Sequence, residues 1–278
     1  MNVTELTPFL ELNNGVNMPQ VGLGVFKMDD EQAEEATRYA IDVAGYRAID
    51  TAAVYGNEAG VGRAIAASKV DREDLFITTK LWNDNQGYDE TLQAFEESMK
   101  KLDLSYLDLY LIHWPKPQLD KALDTWRAFE RLYDEGLIRA IGVSNFKPHH
   151  LDALLAQANI IPAVNQIELH PMMSQIETRE YCEQREIKIE AWSPLMQAGE
   201  LLDHPVIQGI ANVHSKEPAQ VVLRWHVQSG FLVIPKSKTP ERIKDNIEIF
   251  TFELSPEEML QIDSLNSNRR IGPDPDKL

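Results

Sequence analysis

The chain has 278 residues, 43% of them hydrophobic, with a net charge of −17 at pH 7 and one cysteine. That length suits one α/β barrel or two small domains, and so acidic a surface argues against nucleic-acid and anionic-membrane partners. The single Cys182 excludes an intrachain disulfide, no apolar run approaches the ~20 residues of a membrane span, and the polar Met1-Asn2-Val3-Thr4-Glu5 start carries no export signal, so the cytoplasm is the expected compartment.

In chain order, residues 9–18 read as a β-hairpin turned at Asn14-Gly15, expected to cap the N-terminal mouth of a barrel. Short β-type runs then recur at 20–24, 46–50, 74–81, 107–112, 138–143, 163–167, 187–192 and 231–234. Between them lie helical patterns at 31–43, 89–102 and 120–135, the last stopped by Gly136. Two more helices open with proline near their start, at Lys147-Pro148-His149-His150 and at Lys216-Glu217-Pro218-Ala219. Roughly eight β/α units in sequence predict an α/β fold of the (β/α)8 barrel type, spanning 1–278 as one domain. The tail 266–278, with Gly272, Pro273 and Pro275, is expected to be a loop folded over the active face.

Barrel chemistry sits at the C-terminal ends of strands and in the loops after them. Asp50 ends the second run, Tyr55 follows in its loop, Lys80 lies near the end of the third and His113 follows the fourth. Singly, Asp50 also suits a helix cap, Lys80 a rim position and His113 a core histidine. An ionisable group inside an apolar strand end is costly unless paired, and groups at matching levels of successive strands point to mutual pairing. Two other motifs carry less. Gly22-Leu23-Gly24-Val25-Phe26-Lys27 starts like a dinucleotide fingerprint but has Lys27 where the last glycine belongs. His113, His149, His150 and His170 would suggest a metal-dependent hydrolase, but no two share metal-ligand spacing on one strand end, so no metal is expected.

The stretches Asp50-Thr51-Ala52-Ala53-Val54-Tyr55-Gly56-Asn57-Glu58, Thr79-Lys80-Leu81-Trp82-Asn83, Leu109-Tyr110-Leu111-Ile112-His113-Trp114-Pro115, Ile141-Gly142-Val143-Ser144-Asn145-Phe146 and Ile234-Pro235-Lys236-Ser237 resemble the signatures of aldo-keto reductases. The likeness runs from about Leu10 to the C-terminus. It leans toward the bacterial 2,5-diketo-gluconate reductases through Asn165-Gln166-Ile167-Glu168-Leu169-His170-Pro171 and the short tail.

The resemblance implies an NADPH-dependent, monomeric oxidoreductase that reduces aldehydes or ketones. Tyr55 would be the proton donor, Lys80 would lower its pKa, Asp50 would hold Lys80, and His113 would orient the carbonyl. It assigns Ser144, Asn145 and Gln166 to the nicotinamide carboxamide, Trp192 to ring stacking, and Ser193 and Leu195 to the pyrophosphate. Lys236, Ser237, Thr239, Arg242 and Asn246 would hold the adenosine phosphate, a basic cluster that suits NADPH over NADH. Phe26, Trp82, Trp114 and His113 would line the substrate pocket. Phe26 and Met196 stand where relatives often have tryptophan and glycine. An inward-facing Arg269 or Arg270 would suit an anionic keto-acid. A barrel that keeps NADPH as a non-catalytic redox sensor is the alternative, and the complete set of four residues argues against it.

Overall fold

The computed structural model describes residues 7–278. Strands β1 (Phe9–Glu11) and β2 (Asn17–Pro19) form the antiparallel hairpin, with Gly15 at φ 81° in its turn. Eight parallel strands come next: β3 (Leu23–Gly24), β4 (Ala48–Asp50), β5 (Phe76–Leu81), β6 (Leu107–Ile112), β7 (Ile138–Ser144), β8 (Val164–Glu168), β9 (Lys188–Trp192) and β10 (Leu232–Val233). Each pairs with its sequence neighbour. The ring closes where Val21 bridges Val233 and Gly24 bridges Lys236, with Gly22 N donating to Val233 O at 2.9 Å. The (β/α)8 barrel is therefore present.

Both faces of such a strand are covered, so β5 and β6 are buried at every residue. Their near-continuous apolar, β-branched sequence follows from that. Outside lie α1 (Asp30–Tyr39), α2 (Glu58–Ala67), α3 (Tyr88–Leu102), α4 (Ala122–Asp134), α5 (Pro148–Leu155), α6 (Ile176–Glu183), α7 (Pro205–His214), α8 (Pro218–Gln228), α9 (Pro240–Ile247) and α10 (Pro256–Asp263). The helix expected over 31–43 ends at Tyr39 and continues as a π-turn over Ala40–Ala44, stopped by Gly45 at φ 85°. The strand expected over 74–81 starts at Phe76, because Arg72–Asp74 forms a 3-10 turn.

The hairpin plugs the N-terminal mouth. Leu12 and Met18 join Phe76, Leu109, Leu111 and Leu232 in the core below the barrel. Asn13 and Asn14 donate their amides to Pro162 O and Arg139 O beside the starts of β8 and β7. The opposite mouth is left for the site. No helix among the described residues is long and apolar enough to cross a membrane.

The loop after β9 carries the most strained backbone. Ser193, Met196, Gln197 and Ala198 have φ of 48°, 51°, 58° and 65°, none of them glycine. Met196 adopts a left-handed φ that glycine reaches without strain. Its side chain is buried with Leu201, Ile207 and Trp225 between α7 and α8, and that contact offsets the strain. Ala198, exposed and at ψ −155°, has no such compensation. Replacing Ala198 with glycine should therefore raise stability by ~1 kcal/mol. Thermal unfolding of A198G checks this, and a lowered Tm would contradict it.

Candidate active site

The C-terminal mouth holds a cavity of about 590 Å³ lined by Gly24, Phe26, Asp50, Tyr55, Trp82, His113, Trp114, Ser144, Asn145, Gln166 and Trp192, among others. Each arrives by a local structural cause. Asp50 is the last residue of β4, and the loop after it is anchored by Asn57. The Asn57 amide donates to Val25 O and Met28 O at 3.0 Å and accepts from Thr51 at 2.7 Å. Next to it, Glu58 accepts from Thr79 of β5 at 2.7 Å. The 3-10 turn Ala53–Tyr55 is thereby held, and Tyr55 projects from it into the cavity.

Lys80 lies within β5 at 0% exposure. Its ammonium donates to Asp50 Oδ1 at 2.5 Å and to Thr51 O at 2.9 Å, and lies 5.1 Å from the centre of the Tyr55 ring. His113, after β6, meets Tyr55 edge-on at 5.8 Å and Trp82 at 5.2 Å between ring centres. Phe26 lies 5.0 Å from Tyr55 and, half exposed, forms the rim. All four residues expected to carry chemistry are thus assembled, Lys80 behind the cavity wall and the other three on it.

Protonation follows from burial and neighbours. Burial pushes the Lys80 ammonium toward losing its proton, but Asp50, with Tyr55 and Glu190, more than offsets this and holds its pKa above the ordinary lysine value. Burial raises the Tyr55 phenol, with Lys80 opposing and Asp50 and Glu190 adding to the rise. The net direction is upward. The sequence expectation that Lys80 brings the phenol toward neutrality is corrected, because desolvation outweighs the ammonium. Burial, then the Lys80 charge, holds His113 well below the usual histidine value, so its ring is neutral.

The residues expected at the nicotinamide end share a network on the same wall. Trp192 Nε1 donates to Asn145 Oδ1 at 2.8 Å, and Asn145 Nδ2 donates to His113 O at 2.9 Å and Ser144 Oγ at 3.1 Å. The Gln166 amide donates to Asp50 Oδ2 at 2.8 Å and to Glu190 Oε2 at 2.7 Å. A second groove of about 640 Å³ shares Phe26, Lys27, Ser193, Pro194, Gln197 and Lys236 with the first and continues along Leu195, Ser237, Arg242 and Asn246. Thr239 lies outside its lining and instead caps α9, its N–H bonded to Ser237 Oγ at 3.1 Å. Burial, then Lys238 and Lys27, lowers the Lys236 pKa. None of Lys27, Lys236, Lys238 or Arg242 has a carboxylate within ion-pair distance among the described residues.

The tail folds over the cavity as expected, placing Ile271, Gly272, Pro273 and Leu278 in its wall. The arginines do not face inward, however. Arg269 pairs with Glu200, and Arg270 lies 3.6 Å from Glu168. Their charge is taken by carboxylates, which removes the ground for an anionic keto-acid substrate. Sequence reasoning missed the anchor, Glu168, which accepts Ile271 N at 2.7 Å and Gly272 N at 2.9 Å and meets His170 at 3.1 Å. Burial would raise its carboxyl, but the His170 bond and these two N–H bonds bring it below the ordinary value. Gly272 is required here, since a Cβ would lie 2.3 Å from the Trp192 ring.

Nor are His149 and His150 isolated. Asp276 of the tail meets both at 2.9 and 3.0 Å, and these ligand-type atoms lie within 4.8 Å of one another. The same carboxylate pairs with Lys147 at 2.6 Å, and His150 Nδ1 accepts the Lys147 N–H that caps α5. These contacts tie the tail to α5, and the Lys147 ammonium competes with any cation for Asp276.

Residues 20–267 match the sequence pattern of the Aldo/keto reductase family. The glyoxal reductase of Bacillus subtilis (strain 168) is 56% identical over 276 residues, covering 99% of both chains. The methylglyoxal reductase DkgA of Yersinia pestis is 48% identical over 272 residues, covering 98% of this chain and 97% of that one. A crystal structure of a mutant of Gox0644 in complex with NADPH superposes with a TM-score of 0.94 at 42% identity, covering 98% of each chain. With its barrel, its buried Lys80–Asp50 pair and these matches together, the chain belongs to the aldo/keto reductase family.

Proposed function

We propose that this chain is an NADPH-dependent reductase of small aldehydes and ketones, and that 2-oxoaldehydes of the glyoxal and methylglyoxal type are its substrate class. The observation that carries this reading is the Tyr55 phenol facing an aromatic cavity, backed by a buried ammonium and joined to a groove that carries Lys236 and Arg242. The relatives' names support the substrate class, as does the small cavity that Phe26, Trp82, Trp114 and the tail enclose.

The groove fits the cofactor. Lys27, Lys236 and Arg242 in its lining have no carboxylate within ion-pair distance among the described residues, in a chain of net charge −17, and they lie about the N-terminus of α9, which suits an added 2′-phosphate. Lys236, Ser237 and Arg242 would hold that phosphate, with Thr239 shaping the turn and Asn246 lining the adenosine end. Ser193 and Leu195 would flank the pyrophosphate. Ser144, Asn145, Gln166 and Trp192 would hold the nicotinamide. Once bound there, NADPH supplies the hydride, which no side chain can provide.

The protein supplies the rest. The neutral His113 ring has one N–H to donate to the carbonyl oxygen, and the aromatic walls exclude water. Tyr55, holding its proton at neutral pH, gives it to the oxygen as negative charge develops there. Lys80 stabilises the phenolate left behind, and Asp50 keeps Lys80 charged and in place.

Three measurements test these roles. Tyr55→Phe should bind NADPH within about threefold of the parent and lose ~10²–10⁴ in kcat, since only the proton donor is removed; methylglyoxal-dependent NADPH oxidation measures it, and retained turnover would sink the assignment. Because the phenol is raised and His113 lowered, kcat/KM for the carbonyl should stay flat from about pH 6 to about pH 9, with no inflection near the ordinary histidine value. An alkaline decline setting in below about pH 8 would show that the donor is not a raised phenol. Arg242→Ala should weaken NADPH by ~10–100-fold and NADH little, read by fluorescence titration of both. Equal weakening would move the phosphate elsewhere.

A further inference from the structure

Glu190 is a fully buried carboxyl for which the reduction described above has no use. It lies in β9 between Ile189 and Ala191, and its strand partner in β10 is Leu232. Its one hydrogen-bond partner is the Gln166 amide at 2.7 Å. Gln166 Nε2 also donates to Asp50 Oδ2 at 2.8 Å, and Asp50 Oδ1 accepts from Lys80 at 2.5 Å. Four residues on β4, β5, β8 and β9 thus form one chain across the barrel floor.

The two carboxyl groups decide which way the Gln166 amide points. Both of its N–H bonds are spent on Asp50 and Glu190, so the Gln166 nitrogen must face the barrel. Its oxygen accepts no hydrogen bond from the protein and is not sealed in the interior, while Gln166 lines the catalytic cavity. Without Glu190, one N–H would lose its partner and the amide could turn.

We propose that Glu190 is a positioning residue for the cofactor: by fixing the Gln166 amide, it presents the Gln166 oxygen to the cavity as the acceptor for the nicotinamide carboxamide. This rests on the NADPH reading above. The site's charge agrees with it. Burial, and then the Asp50 charge, raises the Glu190 carboxyl, with Gln166 and Lys80 opposing. Protonated or ionised, the Glu190 carboxyl keeps an oxygen that accepts from Gln166.

The test compares Glu190→Met, which keeps the bulk and removes the acceptor, with Glu190→Gln, which keeps an acceptor oxygen. The dissociation constants of NADPH and of adenosine 2′,5′-bisphosphate, which has no nicotinamide, are measured by calorimetry for the parent and both variants. Glu190→Met should weaken NADPH by about tenfold, equivalent to ~1.4 kcal/mol, and leave the bisphosphate unchanged, while Glu190→Gln stays within about threefold of the parent for both. Circular dichroism checks the fold, and Glu190→Ala repeats the measurement if Glu190→Met is unfolded. Unchanged NADPH affinity in Glu190→Met, equal weakening of both ligands, or a tenfold loss in Glu190→Gln would each overturn the proposal. Failure of the parent itself to bind NADPH would overturn the reading beneath it, so the two failures are told apart.

Discussion

An ammonium group sits near the centre of this barrel, out of contact with water. Lys80 is held there by Asp50 and by the carbonyl of Thr51, and removing one partner of such a pair commonly costs ~3–5 kcal/mol. Its two partners come from the end of β4 and the loop after it, so the pair binds the Tyr55 loop to β5. The Asn57 and Glu58 contacts reinforce the same junction. The cation, the phenol above it and the loop that carries the phenol therefore form one unit. Asp50 raises the pKa of both the lysine and the phenol, while the Lys80 charge opposes the rise of Tyr55.

This unit was legible in the sequence because it breaks a pattern. A lysine inside Phe76-Ile77-Thr78-Thr79-Lys80-Leu81 is an anomaly that burial physics explains only by a partner, and Asp50 ends the preceding strand. The strands were legible from their apolar runs and α4 from its spacing and stop. Helix α2 was not, because Gly60 and Gly62 weaken its helical character. The structure shows their purpose: a Cβ at either would strike the backbone of Asp30 or Leu102. Glu190 lies inside an expected strand run and Glu168 just past another, and neither is singled out by its spacing. In a parallel barrel both strand faces are covered, so an acid inside such a run is a signal of the same kind as Lys80. The tail's loop character could be read, but the carboxylates that claim Arg269 and Arg270 come from distant segments, and spacing gives no hint of them.

The charge distribution has a similar logic. The chain as a whole is strongly acidic, yet Lys27, Lys236 and Arg242 line one groove, which also holds Asp203, Glu217 and Asp245, without a carboxylate within ion-pair distance of any of the three among the described residues. Elsewhere some basic side chains are neutralised close by, as Arg72 and Arg139 are by Asp108. A polyanionic ligand would meet these cations at the α9 end of the groove, on a chain whose net charge otherwise repels it.

The cavity's outer wall has a different character from its floor. The floor is strand ends and buried bonds, while the wall is a short peptide whose fastenings include an inner one, by Glu168 to Ile271 and Gly272, and a second one, by Lys147 to Asp274 and Asp276. The second fastening is partly solvated, and ion pairs of that kind are worth about 1 kcal/mol or less and weaken with ionic strength. The volume offered to a substrate is therefore set by an equilibrium as well as by a shape. Raising the salt concentration weakens this outer fastening first, while the buried bonds to Glu168 hold the inner end of the wall.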